Sequence, residues 1–299
     1  MVFVDTCVAC GSRDVSIFKA HISPFISHRV WKSKPVRAEL VKCKQCSLVF
    51  YNPRLDESEN SLLYRDYRGS EYQKERQKFE DRYTAELNEA IGKNDAEIRI
   101  RKQNLLEFIK PYVEFQEVKA VLDFGGDRGQ FILDEFTLAK KYVYDISGVQ
   151  TPSGVQSISD FTSLQKKYFD FVMCCHILEH LSYPLDMLGK IHQLGNKDTL
   201  FYFEVPLENP CDRKSISTFS PNLIGRYLFF SNPLLLKLSQ YLFNGPTMGM
   251  HEHVNLFSVN SLENLLIHSG FSPVVTKDFM MDLGRAKSRI ISCLCKKRQ

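Results

Sequence analysis

The chain has 299 residues, 43% of them apolar and 25% charged, with a formal net charge of +4. That length supports one large core with small modules attached, and the composition excludes a disordered or fibrous chain. Lysines and arginines are interspersed with acids, so nothing in the charge pattern demands a nucleic-acid partner.

The opening, MVFVDTCVACGSRD, lacks a basic stretch followed by a long apolar one, so it does not read as a secretory signal. The most apolar segment, Leu223–Phe243, is interrupted by Arg226, Asn232, Pro233 and Lys237. A bilayer requires ~20 continuous apolar residues, so no stable membrane insertion is predicted and a cytoplasmic location is expected. Four of the nine cysteines form two Cys-x-x-Cys pairs, Cys7/Cys10 and Cys43/Cys46, and the others sit in apolar runs. In a reducing compartment that usage points to metal and buried thiols, not disulfides. Each pair brings two sulfurs to one side of a tight turn, and two pairs complete a tetrahedral thiolate site for a structural Zn2+. Residues 1–52 are therefore expected to form a zinc-binding, ribbon-like module.

Residues 53–112 are highly charged, with Phe79, Tyr83, Leu87, Ile91, Ile98, Leu105, Phe108 and Ile109 at helical spacing. This predicts helices ending near Pro111, forming a linker or substrate lid. Tyr64, Tyr67, Tyr72 and Tyr83 either line a substrate or, the plainer reading, pack one helix face.

From residue 113 strands and helices alternate. Strands are predicted at Val118–Phe124, Tyr142–Ile146, Val155–Ser159, Phe169–Cys175 and Thr199–Val205. Helices are predicted after the first strand, carrying Phe131, Ile132, Leu133 and Phe136, and at Pro184–Leu194. A helical insertion at 207–250 follows, then a helix at Val259–Ser269 and strands at Pro273–Phe279 and Arg289–Cys295. The fold class is α/β, a Rossmann-like doubly wound sheet spanning 113–299, with ligands expected at the carboxyl ends of its strands.

The first strand ends in Asp123-Phe124-Gly125-Gly126-Asp127-Arg128-Gly129, and Asp145 closes the second. Glycines there let backbone pass close under a ligand, and an acid twenty residues on is placed to accept from ribose hydroxyls. The spacing is not that of a dinucleotide motif, and Asp127 would set a negative charge near a pyrophosphate. S-adenosylmethionine (SAM) has no phosphate and carries a sulfonium and an ammonium, which acids attract.

Residues 118–182 resemble the class I SAM-dependent methyltransferases, through VLDFGGDRGQF, VYDIS and FDFVMCCHILEHL. Asp127 stands where that family's middle glycine lies. The resemblance implies a cofactor site of Asp123, Phe124, Gly125, Gly126, Gly129, Asp145, Asp160, Phe161 and His176, with Asp160 and Phe161 near the adenine.

Methyl transfer is an in-line displacement on an activated carbon, so the protein's tasks are alignment, exclusion of water and removal of a proton. Two clusters suit the last: Leu178-Glu179-His180 and His251-Glu252-His253. In an extended segment His251 and His253 would face one way and Glu252 the other. His-x-His also suits a second metal, but no neighbouring Cys or Asp completes a set in sequence. The whole chain resembles the sugar C-methyltransferases that act on nucleotide-linked keto-sugars. There a Glu-His pair and a Phe-Ser stretch lie beside the acceptor, matching Glu252-His253 and Phe257-Ser258. A tyrosine two positions before the glutamate is Met250 here. The resemblance implies a small-molecule acceptor, with His253 as base, Glu252 supporting it and His180 as a second participant. O-methylation of a sugar or metabolite needs the same residues. A non-enzymatic binding module built on the same fold and zinc ribbon is the remaining alternative.

Overall fold

The computed structural model describes residues 1–33, 37–67, 69–145, 149–208, 249–282 and 287–298. Most of the insertion expected at 207–250, and all of Leu223–Phe243, lies outside the described residues. The chain divides into two compact units. The first holds Met1–Lys93, Glu179–Ser182 and Glu208–Phe257; the second holds Asn94–Leu178, Tyr183–Leu207 and Ser258–Gln299.

In the first unit, β1 (Val15–Ile22), β2 (Arg37–Cys43) and β3 (Val49–Asn52) form an antiparallel meander. Two short strands from much later in the chain complete it. β9 (Gly249–Met250) adds parallel to β1, and β10 (Asn255–Leu256) adds antiparallel to β3, giving the order β10-β3-β2-β1-β9. Residues 251–254 thus join the two edges of one sheet. Four inter-strand gaps amount to ~19 Å in a flat sheet, whereas five Cα steps reach at most ~18 Å. The sheet must curl for so short a connection to close it.

Four short helices cover the unit's first part or follow it: α1 (Pro24–Trp31), α2 (Glu57–Tyr64), α3 (Ser70–Gln77) and α4 (Ala85–Ala90). Local chemistry sets their starts. Asp56 and Glu59 form a reciprocal capping box on α2, and Ser23 and Thr84 cap α1 and α4. Phe25, Ile26, Leu40, Tyr51, Tyr72, Tyr83 and Met250 share one core. This is why the compact unit runs to Lys93, whereas the sequence divides the chain at 52 and at 112. The N-terminal sheet shares its core with the aromatic faces of the helices after it.

The four expected metal ligands meet at one end of this sheet. Cys7 Sγ lies 3.6 Å from Cys46 Sγ, and Cys10 Sγ lies 3.6 Å from Cys43 Sγ. All four sulfurs fall within 4.8 Å of one another. A tetrahedron of 2.3 Å zinc–sulfur bonds has edges of ~3.8 Å. Backbone N–H groups of Ala9 and Cys46 point at Cys7 and Cys43 sulfurs, and the residues ending the knuckles, Gly11 and Ser47, both adopt positive φ. The donor set and its spacing suit a structural zinc.

In the second unit, a seven-stranded sheet contains β4 (Ala120–Phe124), β5 (Lys140–Tyr144), β6 (Val155–Ile158), β7 (Phe171–Cys175), β8 (Leu200–Pro206), β11 (Phe271–Asp282) and β12 (Lys287–Lys297). The order is β11-β12-β8-β7-β4-β5-β6. The five strands from β4 to β8 run parallel, and β12 runs antiparallel to both β8 and β11. The chain winds outward from β4 through β5 and β6, then returns to β4's other side with β7. The carboxyl ends of β4 and β7 therefore flank a topological switch point. Helices α5 (Asp95–Ile109), α6 (Phe161–Gln165), α7 (Pro184–Gln193) and α8 (Val259–His268) belong to this unit. Among the described residues no helix is long and apolar enough to cross a membrane.

One expected element is absent. Residues 125–139 form turns, not a helix. Ile132, Leu133 and Phe136 are buried there nonetheless, packed in a common core with Leu105, Phe108 and Ile109 of α5. The apolar spacing after the glycine turn reports burial without helical periodicity, and α5 supplies the helical face.

Metal analysis should find one zinc per chain, and almost none in a Cys7→Ser/Cys46→Ser variant. That variant should melt roughly 5 °C or more below the parent. An unchanged melting midpoint in zinc-free protein would contradict a structural role.

Candidate active site

At the switch point Gly125 and Gly129 both adopt φ +73. A Cβ on Gly125 would lie 2.4 Å from Ile177 Cδ1, and one on Gly129 2.7 Å from Val143 Cγ2. Gly126 is closed off by Asp123, whose Cγ would lie 2.1 Å from a Cβ there. Asp127, in place of the expected glycine, also takes positive φ, at 52°. Asp is among the few side chains that tolerate this region. Its backbone N–H donates to Asp145 Oδ2 at 2.9 Å, tying the turn to the end of β5. The Asp127 replacement thus preserves the backbone path of the turn.

Asp123 is 1% exposed and, among the described residues, neither carboxylate oxygen has a hydrogen-bond partner. Burial pushes its pKa up to about 7 against the pull of Arg101, and Asp145, Glu204 and Asp127 add to the rise. A buried acid without a donor is a costly group, relieved by a cation placed beside it. That is the observation which makes these residues fit SAM. When bound, SAM supplies a methyl group on a positively charged sulfur.

Other expected cofactor residues cluster in the same unit. Asp160 caps α6, accepting from Thr162 and Ser163 backbone N–H groups and from both hydroxyls. Those bonds hold its carboxyl down at about 2. Phe161 packs on Tyr144 at 6.0 Å between centroids, and Tyr144 packs on Phe124 at 4.9 Å. His176, at the end of β7, has φ 56° and sets Nε2 3.1 Å from Glu204 Oε1. Glu204 also accepts from Arg101 Nη2 at 2.5 Å and from Tyr202 at 2.7 Å. Burial alone would raise its carboxyl; Arg101, His176 and Tyr202 instead hold it well below the usual range.

The acid–base residues lie together in the first unit. His180 and His253 rings meet edge to face, 4.9 Å between centroids. His180 Nδ1 is 2.9 Å from the Glu252 carbonyl oxygen, and His253 Nδ1 is 2.9 Å from Glu208 Oε2. Glu179 is fully buried, its Oε1 4.0 Å from His180 Nε2. Both imidazoles keep about a quarter of their side-chain surface exposed.

This differs from the sequence expectation in two respects. Residues 251–254 are irregular, not extended, so His251 and His253 do not share a face. His251 turns to Glu80, 2.6 Å away, while His253 turns to Glu208. Nor is Glu252 the carboxylate that holds His253. Its side chain accepts from Tyr72 at 2.5 Å and from Arg76 at 2.8 Å. Burial would raise that carboxyl, yet Arg76, His251 and Tyr72 hold it at about 2. Glu252 bonds His180 through its backbone carbonyl, and its carboxylate acts on that ring through charge alone. Phe257 is fully buried and Ser258 caps α8, so both have structural work.

Glu208, Arg76 and Arg54 were not singled out by the sequence. The signal for Glu208 was its place just past the carboxyl end of β8, where ligands gather. Tyr72 follows the packing reading of the tyrosines: it is fully buried, stacks edge-on against Phe25 and donates to Glu252. Glu179, His180 and His253 also offer ligand atoms within 4.8 Å of one another. Proximity alone does not make them a metal site. The 4.0 Å His180–Glu179 edge exceeds the ~3.3 Å of a tetrahedral nitrogen/oxygen zinc site.

A mixed α/β sheet with a glycine turn at the switch point of its parallel strands, an acid closing the next strand and a buried carboxylate without a donor among the described residues defines a SAM-dependent methyltransferase. The chain belongs to the family described as "Methyltransferase domain", whose model matches residues 80–276. A search among curated protein sequences finds no match. Among solved structures, similarity extends over 88% of this chain and 96% of the 1,6-didemethyltoxoflavin-N1-methyltransferase of Burkholderia thailandensis, at 15% identity and a TM-score of 0.50. That structure contains 1,6-didemethyltoxoflavin and S-adenosylhomocysteine. A SAM-dependent methyltransferase from Methanosarcina mazei shares 12% identity over 64% of this chain and 97% of its own, at 0.43. An O-methyltransferase family protein of Burkholderia thailandensis shares 14% over 76% and 63%, also at 0.43.

Because the folded pKa of Asp123 is raised, the native state binds more protons than the unfolded chain between about 4 and about 7. Its contribution to apo stability therefore falls as pH rises through that window. A bound cation reverses the balance. Calorimetry should find SAM binding about tenfold tighter at pH 8 than at pH 6, and no such change in Asp123→Asn. Equal wild-type affinity at both values would contradict the pairing.

Proposed function

We propose that this methyltransferase acts on a small molecule, a nucleotide-linked sugar bearing a ketone, and methylates the carbon beside that ketone. The observation that supports this is the imidazole pair of the first unit, His180 and His253, each held at Nδ1 and each with no hydrogen bond at Nε2 among the described residues. A carbon acid gives up its proton only when a base and a donor to the incipient enolate oxygen are both in place. Two imidazoles meet that requirement. Nucleotide linkage follows from the resemblance to the sugar C-methyltransferases.

In this reading the cofactor site comprises Asp123, Phe124, Gly125, Gly126, Gly129, Asp145, Asp160, Phe161 and His176. His180 and His253 contact the acceptor. Glu252 acts through its backbone on His180, and its carboxylate orders Tyr72 and Arg76. The four cysteines hold zinc away from the reaction.

Incubation with SAM labelled with carbon-13 on the methyl, and a panel of nucleotide-linked keto- and hydroxy-sugars, should give an aliphatic C-methyl resonance. A methoxy resonance would move the enzyme to oxygen acceptors. His253→Ala should lower turnover by roughly a hundredfold or more and leave SAM affinity essentially unchanged. Equal loss of both would make His253 a structural residue.

A further inference from the structure

The two imidazoles have different partners. His180 Nδ1 faces the Glu252 carbonyl oxygen at 2.9 Å. A carbonyl only accepts, so the proton sits on Nδ1 and Nε2 carries the lone pair. The Tyr64 hydroxyl, 3.4 Å from the same nitrogen, is too distant to impose the other tautomer. His253 Nδ1 faces a carboxylate, Glu208 Oε2, at 2.9 Å, and so is protonated too. What separates the rings is the charge each can hold. At 4.9 Å between centroids, two imidazolium ions would repel, so one proton suppresses the other. The ring with a carboxylate at hydrogen-bond distance, His253, keeps the charge; Glu179 stands 4.0 Å from His180 Nε2, beyond that distance.

We propose that the pair divides the acid–base work: His180 is the neutral base, acting through Nε2, and His253 is an imidazolium that donates from Nε2 to the acceptor oxygen. Glu208 is the positioning residue that fixes this division. The sequence expectation gave the base role to His253; the partners on Nδ1 reverse it. On the keto-sugar reading, on which these roles rest, His180 Nε2 takes the proton as the carbon–hydrogen bond breaks. The electron pair passes into the enolate, whose oxygen accepts from His253. The carbon then bonds the methyl as the sulfur–methyl bond breaks, S-adenosylhomocysteine leaves, and His180 releases its proton to water.

Protonation follows the same pattern. Burial lowers His180, with Glu179 opposing and His253 assisting; Glu252 adds a smaller upward pull. Burial would lower His253 too, but Glu208, then Glu179 and Glu252, carry it up to about 9.

Nitrogen-15 NMR of histidine-labelled full-length protein at pH 7, assigned with His180→Gln and His253→Gln, tests the division without any acceptor. His180 should appear neutral with the proton on Nδ1, and His253 protonated on both nitrogens. Glu208→Gln should move the His253 titration down by at least one unit, and Glu208→Asp should restore much of it. A neutral His253 at pH 7, or a charged His180, would overturn the proposal. Once an acceptor is in hand, kcat/KM should rise below about pH 6.5 and fall near pH 9, with the falling limb moved down in Glu208→Gln. A rate that instead climbs through pH 9 would make His253 the base and overturn the division. If the NMR result holds while every keto-sugar fails, the acceptor reading is what falls.

Discussion

The first unit depends on one buried guanidinium. Arg54 is 1% exposed and spends all five N–H donors inside the protein. They reach the carbonyl oxygens of Tyr51, Leu181, Ser182 and Val254 and the side chain of Asn255. Burying such a cation is costly unless every donor is satisfied, so the three segments it gathers have little freedom to part. Those segments are β3, the stretch carrying Glu179 and His180, and the stretch following His253. Asn255, itself fully buried, adds a bond to Leu181, and the Glu179 carbonyl accepts from both Val254 and Asn255. Two histidines 73 positions apart in sequence meet because the residues just after each of them are bound to one arginine.

The zinc module gains a second meaning from this arrangement. Its sheet takes β9 on one edge and β10 on the other, so the four residues between them are held at both ends. A zinc held by the four cysteines would close β1–β3 locally, and that sheet in turn anchors the segment bearing His251, Glu252 and His253. The ion needs no contact with substrate to matter for it. In the second unit a comparable role falls to Glu204. It ties Arg101 of α5 to His176 at the end of β7, and reaches Tyr202, which meets Ser292 of β12. A buried charge held by several donors rigidifies the strand ends that carry the cofactor motif.

What the sequence disclosed follows from how local each signal is. Buried parallel strands such as Phe171–Cys175 are continuous apolar runs, and a Cys-x-x-Cys knuckle is complete within four residues, so both were legible. The glycine turn and Asp145 were legible because the connection between two adjacent parallel strands fixes their separation. The helix expected around Phe131–Phe136 was not, since burial against α5 produces the same apolar spacing without helical hydrogen bonds. Glu208 was invisible as the partner of His253 because 45 residues separate them, and the adjacent Glu252 was the natural candidate. A neighbouring carboxylate in sequence was outweighed by Arg76 and Tyr72, which the helix α3 presents together. The division near residue 93 was likewise hidden, because Tyr72 and Tyr83 report only that they are buried, not that they are buried beneath the zinc sheet.

The most direct test of the account is carbon–proton exchange without methyl transfer. The protein saturated with S-adenosylhomocysteine is incubated in deuterium oxide with nucleotide-linked keto-sugars and followed by proton NMR. The account predicts loss of the resonance from the carbon beside the ketone, slowed sharply in His180→Gln. A substrate that becomes methylated with SAM yet shows no such exchange, its methyl appearing on oxygen, would contradict it.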